Sequence, residues 1–360
     1  MRGVLDFYPG VGTSPADWEA HFLLSAAALV ALPWDLRALT ICELFVNHAL
    51  PTLASGDWPQ LNTLFLSLPC GAGVQTTNQE QLESLALASW GANVRTATLA
   101  LNLDAPALAA LATLDWPRLE NLTLLNNSMD AQGAAGLALA KLPSLRSFTF
   151  TGNTPLPVGA ARALAGAYFV SSLQSLSLTR SSLCYAGVAA LLSAAWPSLV
   201  SLDLSHNRLQ GAAALAAANV PRLTHLNLAG NEIMYYGALA LTKASWPDLQ
   251  SIDLSTPDEY GYELAAALAS GRLPSLVSLR LLGRDLGHRG VLALLQARWP
   301  NLASLELSEW NLSMKNATLL RRRWPGLTLP GLAPPAVVRC LALAAPPTHS
   351  PVSAVIHALN

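Results

Sequence analysis

Three side chains on neighbouring stretches of the chain match the chemistry of a serine hydrolase. Ser205, His225 and Asp253 supply a hydroxyl, an imidazole and a carboxylate, which act in such enzymes as nucleophile, base and orienting group. No motif around them supplies an oxyanion hole, which an acyl-transfer enzyme uses to stabilise its transition state. Catalysis is therefore the least favoured interpretation, and we expect a protein that is not an enzyme.

The remaining metal-ligating residue types do not have the spacing of a metal site. Asp203 and Asp253 would lie about 10 Å apart on a sheet, too far to hold one ion together. The cysteines form no CxxC pair, and the other histidines fall at irregular intervals: Cys42, Cys70, Cys184, Cys340, His21, His48, His288, His349 and His357. We expect no metal, no cofactor and no disulfide.

The charge balance argues against nucleic-acid and membrane partners. The 360 residues carry a formal net charge of −1 and only 12% of them are charged, whereas nucleic-acid binding needs clustered lysine and arginine. The longest apolar run, Phe22 to Trp34, has about 13 residues, short of the roughly 18 to 20 that span a bilayer. Asp17 and Glu19 precede this run, unlike the basic start of a signal peptide. We expect a cytoplasmic protein.

One motif, LxxLxL, recurs along most of the chain. Its first apolar residue returns every 24 to 28 residues, with a single interval of 33 that contains a Gly-, Thr- and Asn-rich insertion, Gly71 to Gln79. We expect a longer loop there. A fixed period is typical of a solenoid that grows by adding units. The first positions are Leu36, Leu61, Val94, Leu119, Leu145, Leu173, Leu199, Leu223, Leu249, Leu276, Leu302 and Leu327.

Each unit predicts the same order of elements. The LxxLxL segment predicts a short strand whose leucines face inward. A Gly then opens an Ala- and Leu-rich helix, as in Gly211 to Ala218 and Gly237 to Ala244. Between strand and helix, a buried asparagine is expected to bond the bending backbone in the best units, forming a ladder of Asn127, Asn153, Asn207 and Asn231. The helix ends at a Trp-Pro step whose tryptophan closes the core: Trp58, Trp116, Trp196, Trp246, Trp299 and Trp324.

This pattern resembles the leucine-rich repeat family over about Trp34 to Leu329. It is most similar to the intracellular type seen in ribonuclease inhibitor, and Gly237, Ala238, Leu239 and Ala240 spell the signature of the Gly-Ala-Leu-Ala subclass. The resemblance implies an α/β horseshoe with parallel strands on the concave face and helices on the convex face. The array would have about 11 to 12 repeats of about 26 residues.

The chain divides into three segments on this interpretation. Residues 1–35 are a degenerate N-terminal repeat or edge, in which Val4 to Phe7 could add a strand; residues 36–329 are the solenoid; residues 330–360 are a Pro- and Ala-rich tail, which we expect to be mobile. Within the solenoid, Pro257 and Arg284 stand where two ladder asparagines belong. Because Asp258, Glu259, Tyr260 and Tyr262 also replace the usual loop, a local bulge is expected there.

The outward residues between the second and third apolar positions of each strand predict one stripe along the concave face. The first half of the stripe is neutral and the second half is charged. A second outward row consists mostly of serine, with His225 among them. The candidate protein-binding patch combines mixed charge with an aromatic residue, as interaction hot spots do: Asp203, His225, Asn227, Asp253, Arg280, Glu306, Glu309 and Trp310. The alternative is that these residues only keep a strand face soluble.

Four functions remain open at this point. The leading hypothesis is a non-enzymatic scaffold that binds a protein partner on the concave face, as a monomer. The second is a structural component of a cytoskeletal or ciliary axonemal assembly, where similar repeat proteins are placed by resemblance. The third is a substrate adaptor for ubiquitin ligation, although residues 1–33 contain no convincing F-box. The fourth and least favoured is the hydrolase that uses Ser205, His225 and Asp253.

Overall fold

In the part of the chain that the structure describes, twelve parallel strands form a single sheet in which each strand pairs with its neighbours along the chain. A computed structural model describes residues 3–4, 26–27, 30–31, 36–42, 46–68, 77–152, 154–209, 212–257, 261–311 and 313–329. The strands are β1 Gly3–Val4, β2 Ala38–Cys42, β3 Thr63–Ser67, β4 Thr96–Ala100, β5 Asn121–Asn127, β6 Ser147–Gly152, β7 Ser175–Thr179, β8 Ser201–Asp203, β9 His225–Asn227, β10 Ser251–Asp253, β11 Ser278–Leu281 and β12 Ser304–Leu307.

Helices return the chain from the end of one strand to the start of the next. Packed helix axes lie roughly 8–10 Å apart and paired strands about 4.8 Å apart, so the sheet forms the inner, concave side. The helices are α1 Val46–Ala54, α2 Gln79–Glu83, α3 Ala105–Ala110, α4 Ala131–Ala138, α5 Val158–Ala165, α6 Tyr185–Leu191, α7 Ala213–Ala216, α8 Tyr235–Leu241, α9 Gly261–Ser270, α10 Gly287–Leu294 and α11 Met314–Arg323. The predicted α/β solenoid is thereby confirmed.

Columns of leucine fill the space between sheet and helices. Along β3 the side chains alternate between half-buried and buried, so that Leu64 and Leu66 face the core. The Trp-Pro tryptophans lie in the same core with at most 5% of their surface exposed, which confirms the prediction that they close the core. Trp299 and Trp324 stack with ring centroids 6.3 Å apart, so these rings fill the seam between successive units.

Several helices begin one to three residues before the glycine that the sequence pattern places first, whereas α7 is shorter than predicted at both ends. Helix α8 starts at Tyr235, two residues before Gly237, and α7 covers only Ala213–Ala216 of the predicted 211–218. The glycines therefore lie inside the first turn of the helix, where they allow close contact with the preceding helix. A Cβ added to Gly133 would lie 3.2 Å from the Cβ of Leu108, tighter than most such contacts.

Gly136 in α4 gives a test of this close packing. A Cβ added there would collide with Ala109 of α3. Gly136→Ala is expected to lower the free energy of unfolding by about 1–2 kcal/mol, because the overpacking outweighs the gain in helix propensity of about 1 kcal/mol. The matched control is Gly166→Ala, where the nearest atom is 3.5 Å away. Urea unfolding of both variants measures the difference, and equal stabilities would contradict the packing explanation.

The asparagine ladder forms as predicted at the positions that the structure describes. The Oδ1 atom of Asn231 accepts hydrogen bonds from the backbone N–H groups of Asn207 and Leu209, at 2.9 and 3.1 Å. Its Nδ2 donates to the carbonyls of Leu204 and Leu228. Asn127 and Asn207 bond in the same way; Asn153 lies outside the described residues. Each amide thus joins two successive units.

Several predicted irregular segments fall largely outside the described residues, namely residues 71–76, Asp258, Glu259 and Tyr260, and residues 330–360. Of the predicted edge strand only Val4 is described, where β1 pairs with Leu39 and Thr40. The boundaries after residues 35 and 329 stay predictions. None of the helices in the described ranges has the length and apolar character to cross a bilayer.

Candidate protein-binding face

The predicted stripe exists as one row of side chains in register across the concave face. Strand pairing aligns its members one by one, and each is the direct neighbour of the next: Thr40, Phe65, Thr98, Thr123, Thr149, Ser177, Asp203, Asn227, Asp253, Arg280 and Glu306. The serine row is also continuous from Ser147 to Ser304, with His225 in its centre. The face therefore presents a neutral hydroxyl half and a charged half.

Arg280 is the centre of the charged half. Its Nε donates to Glu306 at 2.9 Å, and its guanidinium lies 3.5 Å from a carboxylate oxygen of Asp253. The Arg280 side chain is 45% exposed, whereas those of Asp253 and Glu306 are 16% and 22% exposed. Because solvent reaches all three groups, the pairs contribute little stability, and the guanidinium can still contact a partner.

Three members of the patch also hold the ends of their own strands. The side-chain oxygens of Asp203, Asn227 and Asp253 accept a hydrogen bond from the backbone N–H two residues further on, at 2.9 to 3.0 Å. These are Asx turns, which end a strand locally. Asn227 also donates to Asp203 at 3.0 Å. These three residues therefore have a structural role in the turns that follow their strands.

The other predicted members lie at the edge of this network. His225 is exposed, and its Nδ1 lies 2.6 Å from the hydroxyl of Thr224. Glu309 is exposed in a short 3-10 helix, Glu309–Asn311, that follows β12. The side chain of Trp310 lies outside the described residues. Thus the aromatic member of the predicted patch stays a prediction.

The structure does not bring the hydrolase triad together. Ser205 is only 6% exposed. The imidazole of His225 bonds its neighbour Thr224, and the carboxylate of Asp253 bonds Ser255 and contacts Arg280. None of the described hydrogen bonds joins Ser205 to His225, or His225 to Asp253. Within the described ranges no three His, Cys, Asp or Glu side chains are grouped so as to hold a metal ion.

Comparison with known proteins agrees with this geometry. The model of the leucine rich repeat family matches residues 171–233. The matched residues are similar to leucine-rich repeats. They contain β7 to β9 and the ladder asparagines Asn207 and Asn231, the most regular part of the array. The described repeats on either side continue the same parallel sheet, so the repeating strand and helix architecture extends well beyond the matched segment. The subclass stays a prediction.

Solved structures similar to this chain share little sequence with it. The yeast Rad7 and Elc1 complex aligns with 18% identity over 89% of each chain, with a TM-score of 0.43. An internalin from Listeria monocytogenes aligns with 17% identity over 88% of this chain and 95% of its own, also at 0.43. A leucine-rich repeat protein of Leptospira interrogans aligns with 17% identity over 86% and 97%, at 0.33. No curated protein matches the chain.

Proposed function

We propose that this leucine-rich repeat protein is a non-enzymatic scaffold that binds a protein partner through the charged half of its concave face. The observation that carries the proposal is the row from Asp203 to Glu306, in which five polar or charged side chains follow one another in register without interruption. A long open face of this kind matches the way solenoids expose binding surfaces.

The charges of this half favour a basic partner surface. The patch holds four carboxylates, those of Asp203, Asp253, Glu306 and Glu309, and one guanidinium, that of Arg280, so it has a surplus of negative charge. A partner that presents lysine or arginine would be attracted and oriented by this surplus. Arginine is common in hot spots. The guanidinium of Arg280 lies between the carboxylates of Asp253 and Glu306.

The test removes the charges and keeps the turns. In the variant Asp203→Asn, Asp253→Asn, Arg280→Gln and Glu306→Gln, the asparagines retain the oxygen that accepts the Asx-turn hydrogen bond, as Asn227 already does. We expect partner recovery to fall by about tenfold or more, since several charged contacts are lost together. Affinity purification with mass spectrometry identifies the partner, and titration of that partner measures the loss.

The control variant carries the same charge changes away from the concave face. Asp57→Asn, Glu80→Gln, Asp115→Asn and Arg162→Gln alter exposed residues outside the strands. We expect this control to recover the partner at the normal level and both variants to unfold at the same urea concentration. Equal partner recovery by the concave variant and the control would refute the proposal.

Two further roles have no described residue in their favour. The cytoskeletal or ciliary axonemal role and the adaptor role in ubiquitin ligation depend on location and on additional segments, and both stay predictions. The same holds for the cytoplasmic location, the monomeric state and the absence of nucleic-acid partners.

A further inference from the structure

We propose a second binding surface, on the rim of the solenoid, that takes an acidic segment of a partner protein. It is formed by Arg180 in the loop after β7 and by His206 and Arg208 in the loop after β8; we call these three residues the basic rim. The surface is separate from the concave patch and does not depend on it. All three side chains are exposed.

The backbone at the basic rim is unusual for such residues. Arg180, His206 and Arg208 have φ angles of 52°, 58° and 56°, in the left-handed region. For residues other than Gly, Asn and Asp this conformation costs roughly 1–2 kcal/mol. The basic rim therefore keeps cationic side chains at positions where glycine, asparagine or aspartate would be less strained. Strain of this kind is typically concentrated at functional sites.

Equivalent loops of the array show how the strain is otherwise avoided. Asn126, Gly230 and Gly283 occupy the position of Arg180 and His206 in their own units, and all three also have positive φ. The loops are linked by the same backbone hydrogen bonds, from Arg180 to Ser205 and from His206 to Ala229. The turn thus requires the left-handed conformation but not a cation, so the charge needs a separate explanation.

The cationic side chains are available for a ligand. Within the described part of the chain, none of the three forms an ion pair or a side-chain hydrogen bond. The imidazole of His206 lies over Gly230 of the next unit, because a Cβ added to that glycine would collide with the ring. Arg180 and Arg208 lie in adjacent loops of the array, and each offers forked donors that match carboxylates.

Exposed aromatic and sulfur side chains flank the basic rim on the same edge, where the loops lead into the helices. Tyr185 at the start of α6 is 53% exposed, and Met234, Tyr235 and Tyr236 at the start of α8 are 45%, 40% and 81% exposed. Tyrosine beside arginine is the composition of a protein-binding hot spot. The ligand chemistry that fits is an acidic peptide with an apolar or aromatic side chain.

The same edge disfavours a nucleic acid. A phosphate backbone is bound by many cations along its path, whereas the basic rim has three, and in the next unit the exposed Glu232 occupies the loop position that Arg208 has in its own unit. A short acidic segment can end before Glu232. A continuous polyanion would have to pass it.

The test uses a labelled peptide of about a dozen residues, rich in glutamate with phenylalanine interspersed, and the full-length chain. In Arg180→Asn, Arg208→Asn, asparagine retains the left-handed backbone without the charge. The control, Arg222→Asn, Arg298→Asn, changes the same charge at exposed sites outside the basic rim. We expect the Kd to rise about tenfold for the rim variant and less than about twofold for the control, because two exposed ion pairs are lost.

Three results would overturn the inference. The first is an equal loss of peptide binding in the rim variant and the control, or no loss in either. The second is unchanged binding when the glutamates of the peptide are replaced by glutamine. The third is tighter binding of a single-stranded oligonucleotide that the rim variant also loses, which would identify a different class of partner.

Two controls separate this surface from folding and from the concave patch. The rim variant is expected to be at least as stable to urea as the natural chain, because asparagine tolerates the positive φ angles. The variant that removes the charges of the concave patch is expected to bind the acidic peptide with an unchanged Kd. A loss of peptide binding there would show that the peptide does not occupy the basic rim.

Discussion

Replacing Asn207 with alanine is expected to lower the free energy of unfolding by about 3–5 kcal/mol. The amide is fully buried, and its Oδ1 accepts hydrogen bonds from the backbone N–H groups of Ser181 and Leu183 at 3.0 and 3.1 Å. Its Nδ2 donates to the carbonyls of Leu178 and Leu204. Removal of the amide therefore leaves several buried backbone groups without partners.

The size of this effect depends on burial more than on the loss of one side chain. Each unsatisfied buried group costs about 1–3 kcal/mol, whereas an exposed hydrogen bond contributes about 0.5–1.5 kcal/mol. The matched control is Asn301→Ala, because the amide of Asn301 is exposed and donates a single hydrogen bond to Pro274 at 2.9 Å. We expect the control to lose less than about 1 kcal/mol.

Urea unfolding followed by circular dichroism measures both variants of this pair. Hydrogen exchange adds a local test, since the N–H groups of Ser181 and Leu183 bond directly to the amide of Asn207. They are expected to lose protection before those in distant repeats. A stability for Asn207→Ala equal to that of Asn301→Ala would show that water or rearrangement satisfies the buried groups, and would refute the prediction.

The register of the concave face was predictable because two periods fix it together. The unit length places one strand beside the next, and the alternation within each strand decides which side chains point outward. Phe65 and Arg280 differ in type from their neighbours, yet both lie in the predicted row. A shift of one residue would have buried them, so the hydrophobic pattern alone was sufficient to exclude it.

Helix ends and local hydrogen bonds were less predictable from the sequence. Tyr235 begins α8 although Gly237 looked like the first residue, because packing against the preceding helix decides where glycine is needed. The Asx turns of Asp203 and Asp253 were missed, since an aspartate after a strand leucine looks the same whether it faces solvent or its own backbone. Only the geometry distinguishes the two.

The basic rim was also missed, although a signal was present in the sequence. Aligning the units places Arg180 and His206 at the position of Gly230 and Gly283. Glycine at one repeat position in two units suggests that the backbone there needs a positive φ. Larger residues at that position in other units are then candidates for strain, but the sequence does not give their φ angles.

Pro257 and Arg284 are two departures from the asparagine ladder that explain each other. A regular ladder amide such as that of Asn231 accepts a hydrogen bond from the N–H of the ladder residue in the preceding unit, Asn207. Proline has no N–H to donate. A ladder residue at position 284, in the next unit, therefore cannot accept a hydrogen bond from the backbone of residue 257. Arginine has donors and no acceptor, and the buried Arg284 donates its Nε to Leu254 at 2.6 Å.

We therefore expect the effects of substituting these two residues to be coupled. Arg284→Asn alone should lower the free energy of unfolding by about 2–4 kcal/mol, because it leaves a cavity and an amide oxygen that lacks the donor which Pro257 cannot supply. In the double variant Pro257→Asn, Arg284→Asn, residue 257 regains the backbone N–H that proline lacks. We expect the double variant to regain about 1–2 kcal/mol relative to Arg284→Asn.

A double-mutant cycle measures this coupling directly. Urea unfolding of the natural chain, Pro257→Asn, Arg284→Asn and the double variant gives the coupling free energy as the departure from additivity. The size of this departure decides between two explanations. A favourable coupling means that arginine compensates for the missing N–H of proline, whereas strictly additive losses would mean that Arg284 is stabilised by its burial and its own contacts, such as the bond to Leu254. The ladder geometry on either side, at Asn231 and Asn311, favours the first.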